Sequence, residues 1–132
     1  MNVLNILIRS TIAAALLGPV PGFGGEVIAH PSSNLTAADV RNVFIGEKQL
    51  SGDLKVVPVD NGPAQAEFVA KVLQMEVPKY AALWTKKSFR EGLTAPSIKG
   101  SDAEVIAFVK ATPGAVGYVN TSASGVKVLQ KF

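Results

Sequence analysis

Residues 54–73 read LKVVPVDNGPAQAEFVAKVL, and this stretch decides the fold class. Its first seven residues are rich in valine and predict a β-strand over 54–60. Asn61, Gly62 and Pro63 then form a turn, and proline is favoured in the first turn of a helix. The apolar residues of the predicted helix are Phe68, Val69, Val72 and Leu73. A strand that leads through a turn into a helix is typical of an α/β domain.

On the N-terminal side of this stretch the sequence predicts another strand and another helix. Residues 26–30 are apolar and end at Pro31, which indicates a strand. Thr36 is a typical helix N-cap, and Asp39 three residues later is the partner expected in a capping box. Gly46 is expected to end this helix. Strand and helix therefore alternate from the beginning of the predicted domain.

On the C-terminal side, Pro78 is expected to open a helix, and the polar residues 86–100 predict an irregular loop. Ser101 and Glu104 form a second predicted capping box, and the helix they start should end near Pro113. Strands are predicted over 115–119 and 126–130. The sequence thus predicts a single layered α/β domain with a central mixed β-sheet flanked by helices. Helical spacing predicts one shared core that contains Val40, Phe44, Phe68, Val72, Trp84, Val105 and Val109.

Residues 1–25 have the features of a cleaved signal peptide, which leaves residues 26–132 as the working domain. Arg9 precedes a short apolar run, Pro19 and Pro21 interrupt it, and small residues follow (Gly22, Gly24 and Gly25). Such a run is too short to span a bilayer, and cleavage is expected after Gly24 or Gly25. The alternative is an uncleaved anchor or a buried helix. A signal peptide predicts a periplasmic protein that spans no membrane once processed.

Composition narrows the functional classes. The chain has no cysteine, which excludes disulfides, thiol nucleophiles and cysteine-based metal sites. Its formal net charge is only +3, which is too small to predict binding to nucleic acid. Residues 84–90 do interleave aromatic and basic side chains, a pattern that can bind single strands. We interpret them instead as a helix end with solvated charges, because Trp84 lies on an apolar helical face.

The residues available for catalysis are few. His30 is the one histidine and could act as a base or a lone ligand, but we interpret it instead as a partly buried histidine with satisfied hydrogen bonds. No recognisable catalytic or phosphate-binding loop motif is present. We therefore expect a protein that is not an enzyme and needs no cofactor or metal. The helix starts at 60–65 and 100–102 offer free N–H groups for an anion, unless they are simply capped and solvated.

Several segments, in order along the chain, resemble the phosphate-binding proteins of ABC transporters. They are residues 40–46 (VRNVFIG), 57–59 (VPV), Phe68, Trp84, 99–109 (KGSDAEVIAFV) and 112–119 (TPGAVGYV). The last segment is the most specific of them. The resemblance implies a type II periplasmic-binding-protein-like fold in a small single-domain member, phosphate or a related oxyanion as the ligand, and a membrane transporter as the partner.

One departure from that family concerns the ligand site itself. Where phosphate receptors carry an arginine and a hydroxyl-rich turn, residues 60–66 read DNGPAQA. Each lost charge-assisted hydrogen bond is worth about 1.5–3 kcal/mol, so phosphate binding should be weak, and Asp60 adds a like charge. The residues expected to bind a ligand are Asp60, Asn61, Gly62, Gln65, Gly100, Ser101, Asp102 and Tyr118.

Two functions follow from these observations. The first is an exported domain of the solute-binding type that binds phosphate or a similar small inorganic anion in ABC-type phosphate transport. The second is an interaction module that has lost ligand binding and docks a transporter or another envelope protein. A polar pocket at the two helix starts would favour the first function. A large exposed apolar patch would favour the second.

Overall fold

The computed structural model describes residues 24–132. The predicted signal peptide, apart from Gly24 and Gly25, therefore lies outside the described residues. The β-strands are β1 (Glu26–Ala29), β2 (Leu50–Ser51), β3 (Leu54–Lys55), β4 (Val57–Asn61), β5 (Ser97–Lys99), β6 (Ala115–Val119) and β7 (Lys127–Lys131). The α-helices are α1 (Ala37–Phe44), α2 (Gln65–Phe68), α3 (Val77–Glu91) and α4 (Asp102–Ala111). A 3₁₀ turn (Gly62–Ala64) precedes α2, and a π-helical turn (Val69–Leu73) follows it.

Five strands form a mixed sheet in the order β5-β4-β6-β1-β7. β4 pairs in parallel with β5 and β6, whereas β1 pairs antiparallel with β6 and β7. The two C-terminal strands β6 and β7 are thus separated by the N-terminal strand β1. The predicted α/β fold with a central mixed sheet and flanking helices is confirmed.

Helices cover both faces of this sheet, so the prediction of one shared core is wrong. α1, α2, α3 and the π-helical turn bury Val40, Phe44, Phe68 and Trp84 against one face. On the other face, α4 packs Val105 and Val109 against strand residues that include Ile28 and Val59. Neighbouring strand residues point to opposite faces, and helical spacing alone does not say which face a helix covers. At Gly117 the α4 side is tight, because an added Cβ would lie 2.5 Å from Val105.

Two of the predicted elements need correction. The predicted loop over 86–100 is wrong, because α3 continues to Glu91 and β5 follows at Ser97–Lys99. The polar residues of α3 lie on its solvent side, and the helix ends at Gly92 with a φ of 67°. The predicted strand over 54–60 is two strands, because β3 pairs with β2 in a separate hairpin and only β4 joins the main sheet.

The predicted capping box is present at the start of α1 and only half present at the start of α4. At α1, the Thr36 amide donates to Asp39 Oδ2 at 2.9 Å. At α4, Ser101 Oγ accepts from the Glu104 amide at 3.2 Å. The Glu104 carboxylate, however, accepts from the Gly100 amide at 2.6 Å, one residue before the position expected in a capping box. No helix within residues 24–132 is long and apolar enough to cross a bilayer.

Candidate functional site

The most unusual polar group of the domain is a buried carboxylate near the C-terminal end of β4. Asp60 is only 2 % exposed. Tyr118 Oη, on the neighbouring strand β6, donates to Asp60 Oδ1 at 2.8 Å. Tyr80 Oη, on α3, donates to Oδ2 at 3.0 Å and lies 3.2 Å from Oδ1. Asp60 therefore links β4 to β6 through the Tyr118 phenol and links the sheet to α3 through the Tyr80 phenol.

Burial changes the ionisation of all three groups. Loss of solvent raises the pKa of Asp60 to about 6 from its ordinary value of 3.8, although the hydrogen bonds from Tyr118 and Tyr80 lower it in part. The pKa values of Tyr80 and Tyr118 are raised well above their ordinary value, first by burial and then by the adjacent carboxylate. Both phenols thus stay protonated at physiological pH and act as donors to Asp60.

The next residue, Asn61, points to the opposite face of the sheet. Its Nδ2 donates to Asp102 Oδ1 at 2.7 Å and to the Tyr118 carbonyl at 3.0 Å. Its buried Oδ1 has no hydrogen-bond partner in the part of the chain described. Asp102 also accepts from the Asn120 amide at 3.2 Å and from Thr121 Oγ1 at 3.1 Å. This network ties β4, the start of α4 and the segment after β6 together.

The residues predicted to bind a ligand thus fall into two sets on opposite faces of the sheet. We call the first set the polar edge, where both helix starts meet; it comprises Asn61, Gly62, Gly100, Ser101 and Asp102. Gly62 lies close to β5. A Cβ added at Gly62 would be 3.5 Å from the Lys99 carbonyl oxygen. The second set is Asp60, Gln65 and the phenol of Tyr118, on the α3 side.

The electrostatics of the polar edge do not resemble those of a strong anion site. Its side-chain hydrogen bonds involve two carboxylates, Asp102 and Glu104, and no cationic partner among residues 24–132. Lys99 lies nearby in sequence, but its Nζ sits over the Phe108 ring, 4.6 Å from the centroid. The amide groups of Gly100 and Glu104 already have side-chain acceptors.

A groove of about 660 Å³ lies on the other face, between α3 and β5. We call it the α3–β5 groove. It is lined by Asp60, Gln65, Tyr80, Ala81, Trp84, Thr85, Ser88, Phe89, Ala95, Pro96 and Ile98. Phe89 is 91 % exposed and Ile98 is 63 % exposed, so two large apolar side chains border it in contact with solvent.

Sequence reasoning missed most of this groove, since residues 86–100 were expected to form a loop. The signal that could have revealed it is the spacing of Ala81, Thr85, Ser88 and Phe89, which share one helical face if α3 continues. His30 contributes to neither set. Its Nδ1 lies 2.7 Å from Ser32 Oγ and accepts from the Ser32 amide at 3.1 Å. No cluster of three metal-ligating side chains occurs within the described range.

Comparison with solved structures identifies the fold. PstS from Borrelia burgdorferi is 18 % identical and superposes on 80 % of this chain with a TM-score of 0.57. An ABC-type phosphate transport receptor from Vibrio cholerae is 17 % identical over 81 % of this chain, with a TM-score of 0.50. The domain shares the fold of part of these phosphate receptors. A protein from Clostridium perfringens with bound phosphate, assigned as a phosphate ABC transporter substrate-binding protein, is 16 % identical over 81 % of this chain, with a TM-score of 0.57.

The matches cover only 46 %, 45 % and 44 % of those three solved chains, so this chain spans less than half the length of the receptors it resembles. No protein-family description matches the sequence. No curated protein matches it either. The structural likeness confirms the fold that the sequence resemblance implied.

Proposed function

We propose that this chain is an exported, periplasmic binding domain of the solute-binding type, without catalytic activity, that works with an ABC-type transporter. The phosphate-receptor fold is the observation that carries the proposal. A ligand-sized groove beside the carboxyl ends of two parallel strands also supports it, because α/β sheets commonly bind ligands there. The Ser32 hydroxyl lies 2.7 Å from His30 Nδ1, but none of the hydrogen bonds described within residues 24–132 joins a carboxylate to the His30 ring, as a catalytic triad would require.

For phosphate itself, we propose weak binding at the polar edge. Two helix starts converge there, and the field of a helix N-terminus is worth about 0.3–1 kcal/mol to an exposed anion. Asp102 and Glu104 oppose that field, and the unpartnered oxygen of Asn61 is an acceptor that a phosphate dianion cannot use. We expect a dissociation constant for phosphate no tighter than about 1 μM.

Isothermal titration calorimetry of the purified domain with inorganic phosphate tests this proposal, with sulfate as the comparison ion. Ser101→Ala should weaken any phosphate binding, because it disturbs the α4 start. Asp102→Asn should strengthen binding by removing a negative charge from the polar edge. A nanomolar dissociation constant, or weaker binding by Asp102→Asn, would contradict our description of the polar edge.

The exposed Phe89 and Ile98 favour a second function, that of an interaction module which docks a transporter or another envelope protein. Exposed apolar side chains grouped on one surface commonly mark binding sites. This alternative predicts that phosphate leaves the melting temperature unchanged. It also predicts that Phe89→Ser reduces co-purification with the partner without changing the melting temperature of the isolated domain.

A further inference from the structure

We infer that the α3–β5 groove binds a small molecule with an apolar body and a protonated amine head, and that the amine pairs with Asp60. The inference rests on the proposed solute-binding function and names a ligand class for it. The amine site lies on the opposite face of the sheet from the polar edge, where any inorganic anion would bind.

The shape of the groove suits such a ligand. Its volume of about 660 Å³ falls within the range of about 300–1,000 Å³ that is usual for small-molecule pockets. Trp84 and Phe89 from α3, and Pro96 and Ile98 from the β5 side, provide apolar contacts. A bound apolar body would remove part of Phe89 and Ile98 from solvent, which accounts for their otherwise unfavourable exposure.

The charge of the groove favours a cationic head group on the ligand. Among its lining residues, Asp60 is the one carboxylate, and lysine, arginine and histidine are absent from that lining. The described partners of Asp60 are two neutral phenols, so no cation within residues 24–132 pairs with this buried charge. A buried charge without a counter-ion is costly, and an ammonium group would provide one. An inorganic anion would be repelled by Asp60 and would find no cationic side chain among these lining residues.

A fluorescence titration can detect this binding directly, because Trp84 is the one tryptophan of the chain and lines the groove. The probe is phenethylamine, excited at wavelengths where only tryptophan absorbs. The matched ligands are 2-phenylethanol, which is neutral, and phenylacetate, which is an anion. We expect a saturable change in Trp84 emission with phenethylamine and binding of the other two that is weaker by about tenfold or more.

Three variants test the role of individual side chains in ligand binding. Asp60→Asn should remove the preference for phenethylamine over 2-phenylethanol, because the preference comes from the carboxylate. Phe89→Ala should weaken both ligands by a similar factor, and its exposed position should leave the fold intact. Asp53→Asn removes an exposed carboxylate outside the groove and is the matched control, so it should change neither ligand.

Binding should also depend on pH in one direction. Phenethylamine should bind more weakly at about pH 5 than at about pH 7.5, because Asp60 takes up a proton between these values. The ionisable groups that face Asp60 are Tyr80 from α3 and Tyr118 from β6, and neither titrates in this range. The change in affinity would therefore report on Asp60.

Three results would overturn the inference. They are the absence of a saturable Trp84 response to phenethylamine, equal binding of phenylacetate, and an amine preference that persists in Asp60→Asn. Phosphate binding by calorimetry together with no response to phenethylamine would overturn the amine site alone and leave the solute-binding function standing. Binding of phenethylamine without phosphate binding would support the amine site and contradict only the phosphate assignment.

Discussion

At the scale of single residues, Asp60 and Asn61 show how far two neighbours in sequence can differ in role. Both end β4 and both are buried, but their side chains leave the sheet on opposite faces. The Asp60 side chain therefore lines the α3–β5 groove. The Asn61 side chain lies at the polar edge, where it donates a hydrogen bond to Asp102. The sequence suggested that the Asp60 charge would oppose an anion at the helix start. Its nearest described groups are instead the phenols of Tyr80 and Tyr118.

The ionisation of Asp60 should make stability depend on pH. Its pKa is about 6 in the folded protein against 3.8 ordinarily, so the folded state holds this proton more tightly than the unfolded chain does. The stability it contributes is complete below about pH 4 and is lost as the pH rises through about 6. The shift corresponds to about 3 kcal/mol.

Urea unfolding of the wild-type protein and of Asp60→Asn at several pH values measures this effect. We expect the free energy of unfolding of the wild type, relative to the variant, to fall by about 3 kcal/mol between about pH 3 and pH 8. The comparison with Asp60→Asn cancels the titration of the other carboxylates. Parallel pH profiles for the two proteins would show that Asp60 ionises as freely in the fold as in the unfolded chain.

At the scale of elements, the short helix α2 and the sheet are joined through aromatic packing. Phe68 stacks on Tyr118 with ring centroids 3.9 Å apart and planes 6° apart. Phe44 of α1 meets Phe68 edge-on at 4.8 Å, and Phe132 meets it at 5.6 Å. On α3, Trp84 Nε1 donates to the Phe44 carbonyl at 3.0 Å, which fixes α3 against the end of α1.

We expect Phe68→Ala to lower the free energy of unfolding by about 3–5 kcal/mol, because it removes a fully buried ring from this packing. That loss is a large fraction of the stability of a typical domain. Phe89→Ala is the matched control, since the same substitution at a side chain that is 91 % exposed should cost little. Thermal and urea unfolding measure both variants. Similar losses for the two would show that burial at position 68 is not what stabilises the domain.

At the scale of the whole molecule, the two ends of the described chain meet in the sheet. The Gly25 amide donates to the Phe132 carbonyl at 2.9 Å, and the Phe132 amide donates to the Gly25 carbonyl at 2.9 Å. The Phe132 ring lies so close to Gly25 that a Cβ there would clash with it. Gly25 thus belongs structurally to the folded domain, whereas Gly24 is exposed.

This pairing sharpens the prediction for signal-peptide cleavage. Cleavage after Gly24 places small residues, Gly24 and Gly22, at the first and third positions before the cut, and it preserves both hydrogen bonds of Gly25. We therefore expect the mature protein to begin at Gly25. Mass spectrometry of the protein isolated from the periplasm decides this. An intact Met1 terminus would contradict the proposed export, and a terminus at Glu26 would show that the Gly25 pairing is dispensable.

The sequence by itself determined the elements that depend on local chemistry. The Thr36 and Ser101 helix starts, the apolar strands and the turn at Pro63 follow from capping, propensity and spacing. The order of these elements was enough to predict an α/β domain, and motifs such as TPGAVGYV indicated the receptor fold. The sequence did not predict the end of α3 or the strand β5 within residues 86–100. A helix end rich in exposed polar residues has too little apolar periodicity to indicate a helix.

Only the tertiary structure decided which groups meet. Asp60 pairs with Tyr80, which is 20 positions away in the sequence, and with Tyr118, which is 58 positions away. Val105 and Val109 belong to a different core from Phe44 and Phe68, because the helices that carry them cover opposite faces of the sheet. The α3–β5 groove exists because β5 pairs with β4 at the sheet edge. Periodicity says that a side chain is buried, but the strand order and the faces on which the helices pack determine its neighbours.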